Sequence, residues 1–261
     1  MNHESKTLVI LSPGFPKDEY DSTCLPAQQL FVRALNVEFP DLKVIILAFE
    51  YPFSKLPYLW HRNRVIPFEG WNGGKIKKFS VWIDVWRVLH KIRKQNELLG
   101  LLSFWCTGPA LVGKYFSKWH ALKHFIWILG QDAREGNRFI PFIRPKASEL
   151  IAMSDFLARE FQKNHFVFPK HIISNAIDQS RFSDQQVQRD IDILGVGSLI
   201  PLKQFDLFLS LIRELKNQIP ELKAVICGKG PEENRLRKII RDLNLQNHVI
   251  LTGELSHDKV L

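Results

Sequence analysis

DILGVGSLIPLKQFDLF, residues 192–208, reads as a short apolar strand closed by Gly195 and Gly197, a loop with one lysine, and a return to helical spacing from Phe205. A loop that follows a buried strand and opens a helix is where α/β proteins hold phosphates. Lys203 is therefore either a charge clamp or a solvated loop cation. Downstream the pattern repeats: a helix over Phe205 to Gln218, a strand over Lys223 to Cys227, a helix over Glu232 to Leu243 and a strand over His248 to Leu251. Residues 191–261 are thus a βαβαβ unit, the half-repeat of a doubly wound nucleotide-binding domain.

Upstream, runs rich in Val, Ile and Leu recur at Thr7 to Leu11, Lys43 to Phe49, Gly100 to Phe104, His124 to Leu129, Glu149 to Met153 and His171 to Ser174. Segments of helical period lie between most of them. Pro26 to Glu38 sets Leu30, Ala34 and Val37 on one face, and Phe79 to Gln95 sets Phe79, Trp82, Trp86, Leu89 and Ile92 on another; Pro109 to Trp119 and Phe156 to Asn164 read the same way. Continuous apolar strands alternating with helices predict an α/β fold with a parallel sheet covered on both faces. The polar stretch Asn175 to Arg189 separates the two patterns. The domains expected are residues 1–178, a linker at 179–190, and an incomplete second domain at 191–261.

A chain of 261 residues with 45% hydrophobic content has ample material for packed cores. No run of about 18 apolar residues occurs, and MNHESKTLVILS lacks the long apolar stretch of a signal peptide, so the protein is expected inside the cell. Cys24, Cys106 and Cys227 are few, widely spaced and unaccompanied by CxxC, which argues against disulfides and zinc. The net charge is +9. From residue 186 onward 11 basic residues face 10 acidic ones, so the excess belongs to the first part. There, Arg62 to Lys94 holds nine basic residues against Glu69 and Asp84, interleaved with Trp71, Trp82 and Trp86. The helix from Phe79 reads first as core packing for Trp82 and Trp86. Lys75, Lys77 and Lys78 form an electrostatic patch for an acceptor or an anionic membrane. The charge also prompts a nucleic-acid reading, but no recognised motif accompanies it.

GVGSLI (195–200) and GKGPEE (228–233) each follow a strand but lack the third glycine of GxGxxG, which disfavours an NAD site. Such glycines often serve tight turns alone. Their place at the ends of successive strands favours a ligand site. Pro231 suits a first helical position, and Glu232 and Glu233 suit the first turn, where they would repel phosphate. The second loop is therefore expected to line a base or ribose, and the first, with Lys203, to meet the phosphates.

In order and spacing, ILGVGSLIPLKQFDLFLSLIRELK and LKAVICGKGPEENRLRKIIRDLNLQNHVILTGELS resemble the carboxyl-terminal domain of GT4-type, group 1 glycosyltransferases. ILSPGFP, SFWCTGPALVGKYF, ILGQDAREGNRF, IAMSDFLAREF and IISNAIDQSRF are similar to successive elements of the same family's acceptor-binding domain. The resemblance implies a GT-B architecture, two Rossmann-like domains across a cleft. It also implies transfer of a sugar from a UDP- or GDP-linked donor to a glycan or lipid-linked acceptor, with retention and without a metal or further cofactor. It places the work in the cytoplasm, peripheral to the membrane's inner face.

Residue by residue, Lys203 matches the family's phosphate-contacting lysine and Gly14 its glycine-bearing amino-domain loop, while Gly197 would allow close approach from the other domain. Ser198 stands where the family has arginine. The segment Leu129, Gly130, Gln131, Asp132 stands where many members have HGxD. The implied donor-binding set is Gly14, Gly197, Ser198, Lys203, Gly228, Gly230 and Glu232, with Lys203 and Asp132 as the catalytic pair. Asp132, Arg134, Glu135 and Asn137 follow a buried strand, as either a site or a solvated loop. Asn175 and Asp178 are similar to the family's hinge, with Ala176 for its glycine. The family's paired-glutamate segment would lie past residue 261, so the chain is expected to be truncated and not to turn over donor. A non-catalytic nucleotide- or sugar-binding relative is the alternative.

Overall fold

The computed structural model describes residues 6–70, 74–179, 182 and 189–260. The expected linker at 179–190 lies largely outside the described residues, as do Trp71 and the Lys75 side chain. The chain divides into two compact units, Met1–Ile177 and Asp178–Leu261.

Unit 1 runs β1 (Thr7–Gly14), α1 (Pro26–Glu38), β2 (Lys43–Tyr51), β3 (Tyr58–Trp60), β4 (Asn63–Pro67), α2 (Lys75–Gln95) and β5 (Leu98–Phe104). It continues with α3 (Gly108–His120), β6 (His124–Ile128), α4 (Ile140–Ile143), β7 (Leu150–Ala152), α5 (Asp155–His165) and β8 (His171–Ile172). Its eight strands form one sheet in the order β3-β4-β2-β1-β5-β6-β7-β8. All neighbours are parallel except β3 and β4. The apolar runs are continuous because both faces are covered. Val9 and Leu11 of β1 join Ile45, Leu47 and Leu101 beneath Val85 and Leu89 of α2 and Phe116 of α3. Ile10, between them, points the other way, toward Ile46, Leu102 and Val32 of α1.

The chain leaves β1 for β2 on one side and returns to β5 on the other, so the sheet's switch point lies between β1 and β5. Ligands of open parallel sheets bind outside such a point. That puts the loops after Gly14 and Phe104 beside each other.

Two expectations need correction. The buried residues of α1 are Gln28, Gln29 and Val32, whereas Ala34 is exposed and Val37 is 76% exposed. The cause is Gln29, whose amide donates to the carbonyls of Asp21 and Cys24 at 2.8 and 2.7 Å and so turns its own face inward. On α2, Phe79 is 62% exposed, and Val81, Val85, Leu89 and Ile92 carry the buried stripe. The antiparallel hairpin β3–β4 adds an edge that apolar runs did not announce. Its turn passes through His61 with φ 48°, and Arg62 spends its guanidinium on the carbonyls of Pro40 and Leu42.

Unit 2 is β9 (Ile193–Val196), α6 (Phe205–Leu215), β10 (Ala224–Cys227), α7 (Glu233–Asp242), β11 (Val249–Gly253) and α8 (His257–Val260). The strands lie parallel in the order β11-β10-β9. Leu209 and Ile212 of α6 and Leu236 and Ile240 of α7 pack on Ala224, Ile226 and Val249.

Leu209 is fully buried. Leu209→Ala is therefore expected to lower stability by about 2–5 kcal/mol in urea denaturation, and Val37→Ala by less than about 0.5 kcal/mol. A cost at Val37 as large as at Leu209 would mean that α1 turns its Leu30, Ala34 and Val37 face inward after all.

Candidate functional site

In unit 2 the two glycine loops touch through their backbones. A Cβ on Gly228 would lie 1.9 Å from the carbonyl oxygen of Gly197, and one on Gly230 would lie 2.3 Å from that of Leu199. Gly228 also holds φ +154° and Gly197 φ +156°, conformations that side chains disfavour. Hydrogen bonds complete the seam: Gly197 N–H donates to Cys227 O and Leu199 N–H to Lys229 O, both at 3.0 Å. Glu232 N–H donates to Leu199 O at 3.0 Å, so the first loop occupies a backbone donor at the start of α7. The donor-binding role expected of Gly228 and Gly230 is not needed to explain them. Their missing side chains let one loop lie on the other.

Lys203 ends a 3₁₀ turn, Pro201–Lys203, that leads into α6. Its Cδ and Cε would lie 3.9 and 3.7 Å from a Cβ on Gly197, so the stem passes beside that glycine. Lys203 is exposed and, among the described residues, has no carboxylate partner. Ser198 is exposed beside it. The loop thus offers a free ammonium and a free hydroxyl over bare backbone.

The Glu232 carboxylate takes Arg235 at 2.5 Å, and Arg235 also reaches Asp206 at the start of α6 at 3.1 Å. Those bonds, Glu232 first, hold the guanidinium above its ordinary pKa. Glu233 pairs with Arg237 at 2.8 Å. The two glutamates are thereby neutralised, so the expected repulsion of phosphate is cancelled.

In unit 1, Gly14 closes β1 where a Cβ would meet Tyr51 Cβ at 3.2 Å, and the next N–H, Phe15, donates to Tyr51 O. The loop beyond is wound around Asp21. Its carboxylate accepts Tyr51 O–H at 2.8 Å and the N–H groups of Lys17 and Cys24 at 3.2 Å. Burial, then Asp21, push the Cys24 thiol up to about 12, so this thiol stays protonated at neutral pH. Nothing in the sequence reading singled out Asp21 or Tyr51, although DEYDS is a turn-forming composition.

Asp132 is 3% exposed, and its carboxylate accepts the N–H groups of Cys106, Leu129 and Gly130 at 2.8, 3.1 and 2.9 Å. Burial raises its pKa while those bonds pull it back down. Asn137 adds donations to the carbonyls of Cys106 and Asp132 at 3.0 and 2.8 Å. Both residues tie the loop after β6 to the loop after β5. Asp132 is buried among these backbone donors, and only Arg134 and Glu135 of that polar group are exposed. Of the expected lysine patch, Lys78 pairs with Glu50 at 3.7 Å.

A family model described as glycosyl transferases group 1 matches residues 176–261. The chain is 32% identical over 124 residues to N-acetylgalactosamine-N,N'-diacetylbacillosaminyl-diphospho-undecaprenol 4-alpha-N-acetylgalactosaminyltransferase of Campylobacter jejuni, over 45% of this chain and 33% of that protein. It is 34% identical over 65 residues to 2-deoxystreptamine N-acetyl-D-glucosaminyltransferase of Niallia circulans, over 25% of this chain and 17% of that one. Matches to these curated relatives thus span a third or less of their length. Sucrose-phosphate synthase from Thermosynechococcus elongatus has the same fold, with a TM-score of 0.70 at 12% identity over 98% of this chain and 72% of its own.

Gly228→Ala should push the two unit 2 loops apart, costing about 1–3 kcal/mol or more. Gly253, with φ +75° and no atom within 4 Å of a built Cβ, is the control for backbone strain alone. Thermal melts of both variants check this: equal losses would mean that the contact with Gly197 carries no weight.

Proposed function

We propose that this chain serves a nucleotide-sugar-dependent glycosyltransferase, because residues 176–261 match the family model of the group 1 glycosyl transferases and the two units carry the GT-B fold. The reaction moves a sugar from a UDP- or GDP-linked donor to a glycan or lipid-linked acceptor with retention of configuration. The observation that carries this reading is Lys203, a cation with no carboxylate partner among the described residues, lying beside the bare backbone of Gly197.

As the bond from the anomeric carbon to the diphosphate oxygen breaks, its electron pair stays on the leaving diphosphate. A positioned ammonium stabilises that growing charge more than the ground state, which is what accelerates a step. Gly197 lets a phosphate approach the backbone closely, and the Ser198 hydroxyl can donate to an oxygen where an arginine would have added charge. Asp132 acts one shell further out, fixing the loops after β5 and β6. Neither a metal nor a further cofactor is required in this reading. Among the described residues no helix is long and apolar enough to cross a membrane. Action in the cytoplasm at the membrane's inner face belongs to the same proposal.

A second reading, a non-catalytic nucleotide- or sugar-binding relative, is favoured by the commitment of Asp132 to backbone donors. It predicts nucleotide binding through Lys203 without transfer.

Titration calorimetry of the full chain with UDP, GDP, uridine and a single-stranded oligonucleotide tests the shared premise. Lys203→Ala is expected to weaken UDP or GDP about tenfold or more, the worth of a charge-assisted contact, and to leave uridine nearly unchanged. Salt-sensitive oligonucleotide binding with no nucleotide binding would sink both readings in favour of a nucleic-acid protein.

A further inference from the structure

Beside the buried stripe of α2, Trp82, Ile83 and Trp86 meet Leu111, Val112 and Tyr115 of α3 across an open groove of about 360 Å³. Arg87 is the charged residue at its edge. Apolar surface continues past the groove: Phe79, one turn before Ile83, is 62% exposed, and Trp119, one turn after Tyr115, is 77% exposed. A helix pair meant to face water would carry polar residues here. Trp86 stacks edge-on against Phe116 at 5.3 Å, so the groove floor is an ordered part of the core.

The charge around the groove is of one sign. α2 and α3 together carry nine Lys and Arg residues, and Asp84 is their one acid. Asp84 is taken by Arg87 at 3.0 Å, and Lys114 is taken by Glu149 at 2.6 Å. Lys91, Arg93, Lys94 and Lys118 have no acid partner among the described residues. Arg87, Lys91 and Lys94 follow one another at helical spacing from Ile83, so one line of α2 passes from apolar to basic.

We propose that the α2–α3 face docks on an anionic phospholipid bilayer, an acyl chain entering the groove while lipid phosphates meet Arg87, Lys91 and Lys94. The pairing of an apolar slot with Lys91 and Lys94, which have no acid partner among the described residues, at one end matches an amphiphile whose head is an anion. Partly buried Trp82 and Trp86 and half-exposed Tyr115 suit the boundary between hydrocarbon and headgroups. A second copy fits poorly, because a two-fold contact through this face would set the same cations against one another. The proposal moves the electrostatic patch from Lys75, Lys77 and Lys78 toward the other end of α2. It requires neither Lys203 nor a sugar donor.

Cosedimentation of the full chain with vesicles of phosphatidylcholine, with and without phosphatidylglycerol, provides the test, together with quenching of tryptophan fluorescence by lipids brominated along the acyl chain. Binding is expected only to the anionic vesicles, weakening with salt, and accompanied by quenching. Lys91→Glu with Lys94→Glu, both on the exposed side, should cut partitioning at least about tenfold. Ile83→Glu with Tyr115→Glu should remove the quenching while circular dichroism stays that of the parent. Equal binding to neutral vesicles would overturn the proposal, as would binding without quenching. So would a dimer that the Ile83→Glu variant abolishes, or retention by an acidic peptide alone.

Discussion

β1 has no solvent face. Val9, Ile10 and Leu11 are each fully buried, alternately toward the helices on one side of the sheet and those on the other. Each such side chain contributes about 1.5–3 kcal/mol on burial, and no alternation of polar residues is possible in a strand so placed. The polar groups of these central strands are therefore pushed to the strand ends. The loops after β1, β5 and β6 gather at one edge, and their buried backbone groups must find partners there. Asp21, Asp132 and Asn137 are those partners. A carboxylate that accepts three N–H groups has most of its acceptor capacity committed to the backbone, so Asp132, at the end of its strand, holds the architecture of these loops together.

The same burial explains what could be read from the sequence. Runs such as TLVILS and KVIILAF announce themselves because both faces of the strand need carbon, and the helices between them follow from 3.6-residue spacing. α1 is a different case. Its inward face carries Gln28 and Gln29, which look like surface residues until the carbonyls of Asp21 and Cys24 are known to sit over Gln29. The hairpin β3–β4 was hidden for a related reason. Arg62 and Arg64 weigh the segment toward a basic patch, yet Arg62 is spent on carbonyls and Val65 is buried. A polar residue's type states its charge. Its partner, often distant in sequence, states what the charge does.

Unit 2 shows this most plainly. Glu232 and Glu233 were placed correctly at the start of a helix, but a sequence gives no weight to Arg235 and Arg237 until the helix exists to bring them within reach, three and four residues on. The paired glycines were read as room for a ligand, yet at Gly228 and Gly230 the room is filled by the carbonyls of the neighbouring loop. Gly197 differs. The space above it is bordered by the stem of Lys203, a flexible neighbour that can yield to an incoming group.

This contrast assigns different work to glycines that look alike in sequence. Gly228 and Gly230 fix the height of the first loop by lying against its carbonyls, and Gly197 and Lys203 use the position so fixed. A single exposed ammonium attracts a diphosphate through screened charge, and that attraction falls as salt rises. On the proposed reading Ser198 would supply a hydrogen bond and no charge, so placement would do more of the work that a second cation would do. Placement is what the backbone seam supplies. A loop held in place loses little freedom when it meets a ligand, so on the proposed reading the contact between the two glycine loops would bear on the affinity of the site beside Gly197 and Lys203.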